Sequence, residues 1–270
     1  MEDVKISIII PVYNKAPFLE RCLDSVVNQT VKPYEVILID DGSTDDGRRI
    51  YNEYASLHAG DHWVVVHTGN NGVSSARNLG LTLVRGDYVS FMDADDAYTL
   101  NAIETMQKYA RKGLKMAQFG HYRYRLDSWG VPELATAPSG FYGFNYTPPF
   151  TSMVWNKLYS MKFLRENGIW FDKNLTFGED EIFNTACILK LNGIYCATEV
   201  TCSHYFDDDN SICRGGLCKE WLEELDRRLV AIRNAQTDKK ARDWLYFVIN
   251  LHRDSGTYQK YGAKPQGALK

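Results

Sequence analysis

Asp93-Ala94-Asp95 closes an apolar run at residues 88–92. Residues two apart on an extended chain point the same way, so the two carboxylates face one site. Two ionised carboxylates held that close repel, and a divalent cation relieves the repulsion. Oxygen-only ligands favour a hard ion, Mg2+ or Mn2+, over zinc. An ion gripped by aspartate on one side is normally completed by diphosphate oxygens. Other residues suit the same ligand: Tyr13 can stack on a nucleobase, and a carboxylate at Asp40 or Asp41 can accept hydrogen bonds from base or ribose. Arg77, on the helix after Asn70-Asn71-Gly72, can neutralise phosphate charge. Each has a plainer reading when taken singly: a solvated turn, a turn aromatic, a cap, a surface cation.

The elements that must position these residues alternate. Residues 6–10 form a β-branched run bounded by Pro11, which reads as a buried strand. Phe18, Leu19, Cys22, Leu23, Val26 and Val27 mark one face of a helix, with Pro17 suited to its first turn. Short apolar runs follow at 36–39 and 64–66, then a helix face at Val73, Ala76, Gly80 and Leu83, then the run at 88–92. Strand and helix at this rhythm predict a parallel sheet with covering helices, because parallel strands need crossovers. In such sheets the ligand site lies beyond the carboxyl ends of the strands. The segments after residues 10, 39 and 92 should therefore meet on one edge.

After residue 100 the rhythm breaks. Tyr, Phe, Pro and Gly crowd residues 119–150, which read as loop and irregular strand. Helical spacing returns at 180–190, a strand pattern at 194–206, and amphipathic helices at 217–235 and 244–252, before a tail over 261–270 without periodicity. The C-terminal helices are open to three uses: capping the fold, dimerising, or touching a bilayer.

Composition excludes other classes. The 270-residue chain carries 31 Lys and Arg against 34 Asp and Glu, a net charge of −3, so it offers no broad basic face for nucleic acid. Its apolar runs are strand-sized, far short of the roughly 20 residues of a spanning helix. The acidic start Met1-Glu2-Asp3 is unlike a secretory signal, and a cytoplasmic location is expected. None of the six cysteines forms a Cys-x-x-Cys pair, and reduced, partly buried thiols are expected. No Gly-x-Gly-x-x-Gly follows the first strand, which disfavours a dinucleotide oxidoreductase. Three strands precede the Asp-x-Asp, whereas a haloacid-dehalogenase-type phosphatase carries its aspartates on the first.

Four blocks then stand in order: Ile6-Ser7-Ile8-Ile9-Ile10-Pro11-Val12-Tyr13-Asn14, Glu35-Val36-Ile37-Leu38-Ile39-Asp40-Asp41-Gly42-Ser43-Thr44-Asp45, Asn71-Gly72-Val73-Ser74-Ser75-Ala76-Arg77-Asn78, and Gly86-Asp87-Tyr88-Val89-Ser90-Phe91-Met92-Asp93-Ala94-Asp95-Asp96. Together they resemble glycosyltransferase family 2, inverting enzymes of the GT-A fold, with a weaker continuation to about residue 212. The resemblance implies an α/β fold with a Rossmann-like, mostly parallel sheet and helices on both faces. It places a nucleotide-sugar-binding half over 1–100, an acceptor-side half over 101–213, and a C-terminal helical extension with a frayed tail over 214–270.

The same resemblance implies a donor, most often a UDP-sugar, bound with Mn2+ or Mg2+. Tyr13 and Asp41 then look like base contacts, and Pro11 shapes their loop. Asp93 looks like the ribose-side acid, Ala94 the spacer, Asp95 the direct metal ligand, and Arg77 a basic residue near the nucleotide. Gly178-Glu179-Asp180-Glu181 resembles the family's Glu-Asp motif, which makes Asp180 the base that takes the acceptor's proton, with Glu179 beside it. The alternative for these acids is that they only favour a helix dipole. Trp155, in Trp155-Asn156-Lys157-Leu158-Tyr159, is expected either to border donor sugar and acceptor or to anchor the core. His204 lies near where such enzymes place a late metal-binding histidine. Relatives carry an arginine shortly after this point; here Phe206-Asp207-Asp208-Asp209 precedes Asn210-Ser211, and Arg214 comes later. The expected acceptor is a glycan or lipid-linked saccharide of cell-surface polysaccharide synthesis, with peripheral contact at the inner membrane face open. A nucleotide-sugar-binding module without catalysis is the alternative.

Overall fold

The computed structural model of the chain describes residues 4–58, 60, 62–125, 131–144, 152–206 and 218–254. In the N-terminal part, β1 (Ile6–Val12), β2 (Glu35–Asp40), β3 (Trp63–His67) and β4 (Tyr88–Phe91) are all parallel, in spatial order β3-β2-β1-β4. They are joined by α1 (Ala16–Val27), α2 (Gly47–Leu57) and α3 (Val73–Leu83). The chain continues through β5 (Ala97–Tyr98), α4 (Ala102–Ala110), β6 (Met116–Arg125), β7 (Glu133–Ala135), β8 (Gly140–Gly143), β9 (Lys157–Ser160), α5 (Met161–Glu166), α6 (Glu179–Leu191) and β10 (Gly193–Phe206). Strand β9 inserts antiparallel between β4 and β6, β10 lies parallel to β6, and β5 closes the far edge antiparallel to β10. Six of the eight strands on this path therefore point the same way. Strands β7 and β8 pair antiparallel with β6 and β10. Helices α7 (Lys219–Asn234) and α8 (Lys239–Asp254) complete the described chain.

Strand alternation sorts the helices between the two faces. Ile6, Ile8 and Ile10 of β1 pack with Leu19, Cys22 and Leu23 of α1, Tyr51 of α2, and Ile103 and Met106 of α4. Ile9, pointing the other way, joins Ala76 and Leu81 of α3, Phe163 of α5, Phe183 and Cys187 of α6, and Trp244, Leu245 and Val248 of α8. A fully buried aliphatic side chain contributes about 1.5–3 kcal/mol, so each strand face is held by its own helical layer. Leu225, Leu229 and Val230 of α7 and Ile249 of α8 form a third cluster, with Phe177 and Ile182 packed against it. Helices α7 and α8 thus pack against α6 and the second face of the sheet.

Several boundaries differ from the sequence reading. Strand β1 runs through Pro11 to Val12, with Pro11 in register opposite Ile39; proline is accommodated near the strand's carboxyl end. Residues 116–125 form the ten-residue strand β6, of which 119–125 fall where loop and irregular strand are expected, and its pairing with β10 does carry register shifts opposite residues 118–121. Helix α8 begins at Lys239, not 244, because its first turn is polar and shows no apolar face. The five described cysteines, Cys22, Cys187, Cys196, Cys202 and Cys218, are free thiols. The expected tail and the Asn210-Ser211 and Arg214 positions lie outside the described residues.

Candidate active site

The carboxyl ends of β1, β2, β4, β6 and β10 share one edge of the sheet. The loops there interlock. Asn14, at φ 50°, accepts from the Thr44 backbone N–H at 2.8 Å, and its own N–H donates to Ser43 Oγ at 3.1 Å. Asp45 receives the backbone N–H groups of Ala16 (2.8 Å) and Gly47 (3.1 Å), the starts of α1 and α2. Tyr13 stands on this frame 45% exposed, its ring available for stacking. Asp41 is buried, and its carboxylate accepts from the Asn71 (2.9 Å) and Gly72 (2.8 Å) backbones, fastening the loop ahead of α3. Gly42 between the loops has φ 81°, and a Cβ there would lie 2.8 Å from Asn70 N. Asp40 is spent internally, accepting from Ser43 N and Tyr51 Oη.

The segment after β4 gathers carboxylates. Ligand oxygens of Asp93, Asp95 and Asp96 all lie within 4.8 Å of one another. Three hard oxygen donors at that spacing suit Mg2+ or Mn2+. The local demand for positive charge is visible, since the Lys15 ammonium sits 2.5 Å from Asp95 Oδ2. Arg21 holds the same loop by donating to the Asp95 carbonyl at 2.5 Å, its guanidinium 3.7 Å over the Tyr205 ring. Asp96 is buried, and burial pushes its carboxyl up to about 7. It accepts from the Tyr205 backbone at 3.1 Å and bonds His204 Nδ1 at 2.8 Å. Burial presses the His204 imidazole down, but the Asp96 bond and charge more than offset it and hold it above its ordinary value. His204 therefore stands behind the three acids, on Asp96, with its ring stacked on Trp155 at 5.0 Å.

Arg77 joins this cluster to the second half of the chain. It is 3% exposed, not the surface cation of the plainer reading. Its Nη2 donates to Asp93 Oδ1 at 3.0 Å, and its Nη1 to Glu179 Oε1 at 2.9 Å and Asp180 Oδ1 at 2.6 Å. One guanidinium cannot neutralise three carboxylates. Burial pushes Asp180 up to about 8, with Arg77 pulling it down and the charges of Glu179 and Asp93 pushing it further up.

Helix α6 aims Asp180. Gly178 caps it at φ 79°, a conformation glycine adopts freely, and three acids follow in the first turn, where the dipole favours them. The remaining Asp180 oxygen, Oδ2, accepts from the Val154 backbone N–H at 3.2 Å. Trp155 follows directly, buried with its edge to His121 (4.8 Å) and its face to His204. Trp155 is thus a core anchor, packed directly behind the acid cluster through His204.

The structure thus brings Arg77, Asp93, Asp95, Glu179 and Asp180 into one connected set, with Trp155 and His204 behind it and Tyr13 and Asp41 on the adjoining loops. Pro11 is the penultimate residue of β1, two residues before Tyr13, and Ala94 is buried between the two acids. Sequence reasoning passed over Lys15, Arg21 and Asp96. For Asp96 the signal was present, as a third acid directly after the Asp-x-Asp.

Known proteins share this architecture. Crystal structures of S. aureus TarS superpose on 95% of the chain, at TM-score 0.75 for the complex with UDP (75% of that chain) and 0.79 for the complex with UDP-GlcNAc (76%), each at 21% identity. The fold is therefore the GT-A fold. The family model "Glycosyl transferase family 2" matches residues 7–168, and the chain belongs to that family. The chain is 33% identical over 189 residues to the glycosyltransferase EpsJ of Bacillus subtilis, covering 66% of this chain and 54% of that protein. It is 31% identical over 203 residues to a poly(ribitol-phosphate) beta-glucosyltransferase of Bacillus spizizenii, covering 71% of this chain and 30% of that one. The chain thus spans about half the length of EpsJ and less of the second relative. Among the described residues, no helix is long and apolar enough to cross a membrane.

Proposed function

We propose that this chain transfers a sugar from a UDP-sugar to a hydroxyl group of a surface glycan or its lipid-linked precursor, with inversion at the anomeric carbon. The observation that carries the reading is the Arg77 link, which sets the Asp-x-Asp loop and the acid pair of α6 around one cation. The TarS complexes with UDP and UDP-GlcNAc support the donor class, and the poly(ribitol-phosphate) relative supports a cell-wall acceptor.

In this reading Tyr13 stacks on the base and the loop held by Asp41 cradles the nucleoside. Asp95, with Asp93 and Asp96, would hold a divalent ion, which would supply Lewis-acid stabilisation to the departing diphosphate. Asp180 accepts the proton of the attacking hydroxyl; a carboxylate pushed up to about 8 is a stronger proton acceptor than an ordinary aspartate. Trp155 borders the sugar, and His204 fixes Asp96. Exclusion of water keeps the charges effective.

The test is UDP release from a panel of UDP-sugars with manganese, with and without saccharide acceptors. Asp180→Asn should lower turnover by about 10²–10⁴-fold, the range for a general base, while UDP binding stays within twofold. A chain that binds UDP but releases none from any donor is a binding module, and the transferase reading is then lost.

A further inference from the structure

Lys157 is the one fully buried lysine among the described residues, 0% exposed at the start of β9 in the middle of the sheet. Burial pulls its ammonium down to about 7, with Asp180 the largest opposing influence. Lysine is rarely placed so without a use. Its Nζ donates to the Met153 carbonyl at 2.5 Å and to Asn156 Oδ1 at 2.9 Å, and its backbone N–H to the Val154 carbonyl at 3.2 Å. The side chain therefore folds back over the turn 153–157 and ties its two ends together. That turn presents the Val154 N–H that Asp180 Oδ2 receives.

Helix α6 grips the turn from outside. Asn184, one helical turn after Asp180, donates to the carbonyls of Ser152 (2.5 Å) and Met153 (3.3 Å) and accepts from Tyr159 Oη at 2.7 Å. The Met153 carbonyl is thus held by Lys157 from within the sheet and by Asn184 from the helix.

We infer that Lys157 is a positioning residue for Asp180, its ammonium fastening the 153–157 turn so that the Val154 amide fixes the orientation of the base. The inference rests on the proposed role of Asp180. Lys157 acts by hydrogen bonding through the turn, which its side-chain nitrogen does whether or not it carries the extra proton. The other groups facing the pair are Arg77 from α3, Glu179 and Cys187 from α6, Asp93 after β4, His121 from β6, and Cys196 and Cys202 from β10.

The experiment compares wild type, Lys157→Met, Lys157→Gln and Asp180→Asn, using UDP release from the fastest UDP-sugar of the panel, the UDP dissociation constant, and the pH profile of kcat. Lys157→Met keeps the volume but loses the donors and the charge. It should lower kcat at least tenfold with the donor KM and UDP affinity within twofold. The acid limb of the pH profile should move up by about one unit, because the ionised Asp180 loses the fixed Val154 amide donor. Lys157→Gln, shorter and uncharged, should show the same limb shift and substitutes if the Met variant is not folded.

An unchanged limb in a folded Lys157 variant overturns the inference, as does failure of both variants to fold, which assigns Lys157 to stability alone. Full turnover in Asp180→Asn removes the base reading itself. An inactive Asp180→Asn beside a Lys157→Met of wild-type behaviour removes only the positioning role.

Discussion

Arg77 Nη1 lies 2.6 Å from Asp180 Oδ1 across 103 positions of sequence, while its Nη2 holds Asp93 at 3.0 Å. A helix that follows the nucleotide-side loops thereby touches both the acid expected to face the donor and the acid expected to face the acceptor. Charge in either half is felt in the other. Predictions follow from that shared cation and from the groups around it.

Turnover should rise with pH towards about 8 if Asp180 is the proposed base, since a base works only when deprotonated and the acidity of Asp180 is suppressed mainly by burial. Glu179 adds to the suppression by its negative charge. Glu179→Gln should therefore move the acid limb of the kcat profile to lower pH. A limb that stays in place in that variant would separate Glu179 from the titration.

Arg77→Met leaves three carboxylates without their cation. Removing one partner of a buried ion network costs about 3–5 kcal/mol, which for a domain of this size lowers Tm on the order of 10 °C. In the variant the Asp180 carboxyl loses the downward pull of Arg77 and its folded-state value rises further, so stability is present at low pH and lost as pH increases. Thermal melts should show the deficit to wild type shrinking between pH 8 and pH 6.

The fold was readable where one signal sufficed. Short runs rich in β-branched residues marked β1 and β2, and the helix faces of α1 and α3 repeat at regular spacing. Strand β6 was hidden because Gln118, Gly120 and His121 interrupt its apolar residues, yet neighbours on both sides bury them. Helix α4 was hidden by Glu104, Gln107 and Lys108, which dilute the face of Ile103, Met106 and Ala110. In the site, the acids stood out by their motifs. The burial of Arg77 and Lys157 did not, because an arginine or lysine enters a core only if distant segments bring it partners, and local sequence carries no trace of those.

Tyr13→Ala should weaken UDP binding. Stacking of a base on an aromatic ring contributes about 1–3 kcal/mol, so the dissociation constant should rise between about 5-fold and 150-fold by calorimetry. Affinity for inorganic pyrophosphate with manganese should not change.

Asp95→Asn should abolish metal-dependent UDP release and lower Mn2+ occupancy measured by electron paramagnetic resonance. An ion held by Asp95 would have to displace the Lys15 ammonium that now sits on that oxygen. Lys15→Met should accordingly bind Mn2+ severalfold more tightly in the absence of nucleotide. Equal affinity would show that the lysine does not compete.

At Gly178 a methyl group would come within 2.6 Å of Leu225 Cδ2 on α7, a side chain sealed in the interior. The terminal helical pair thus presses on the backbone residue from which the acidic helix springs. Shortening the polypeptide before residue 219 would remove that backing and loosen the proton acceptor's seat. A truncated form that has lost catalysis therefore says nothing, by itself, about whether those helices meet a lipid surface.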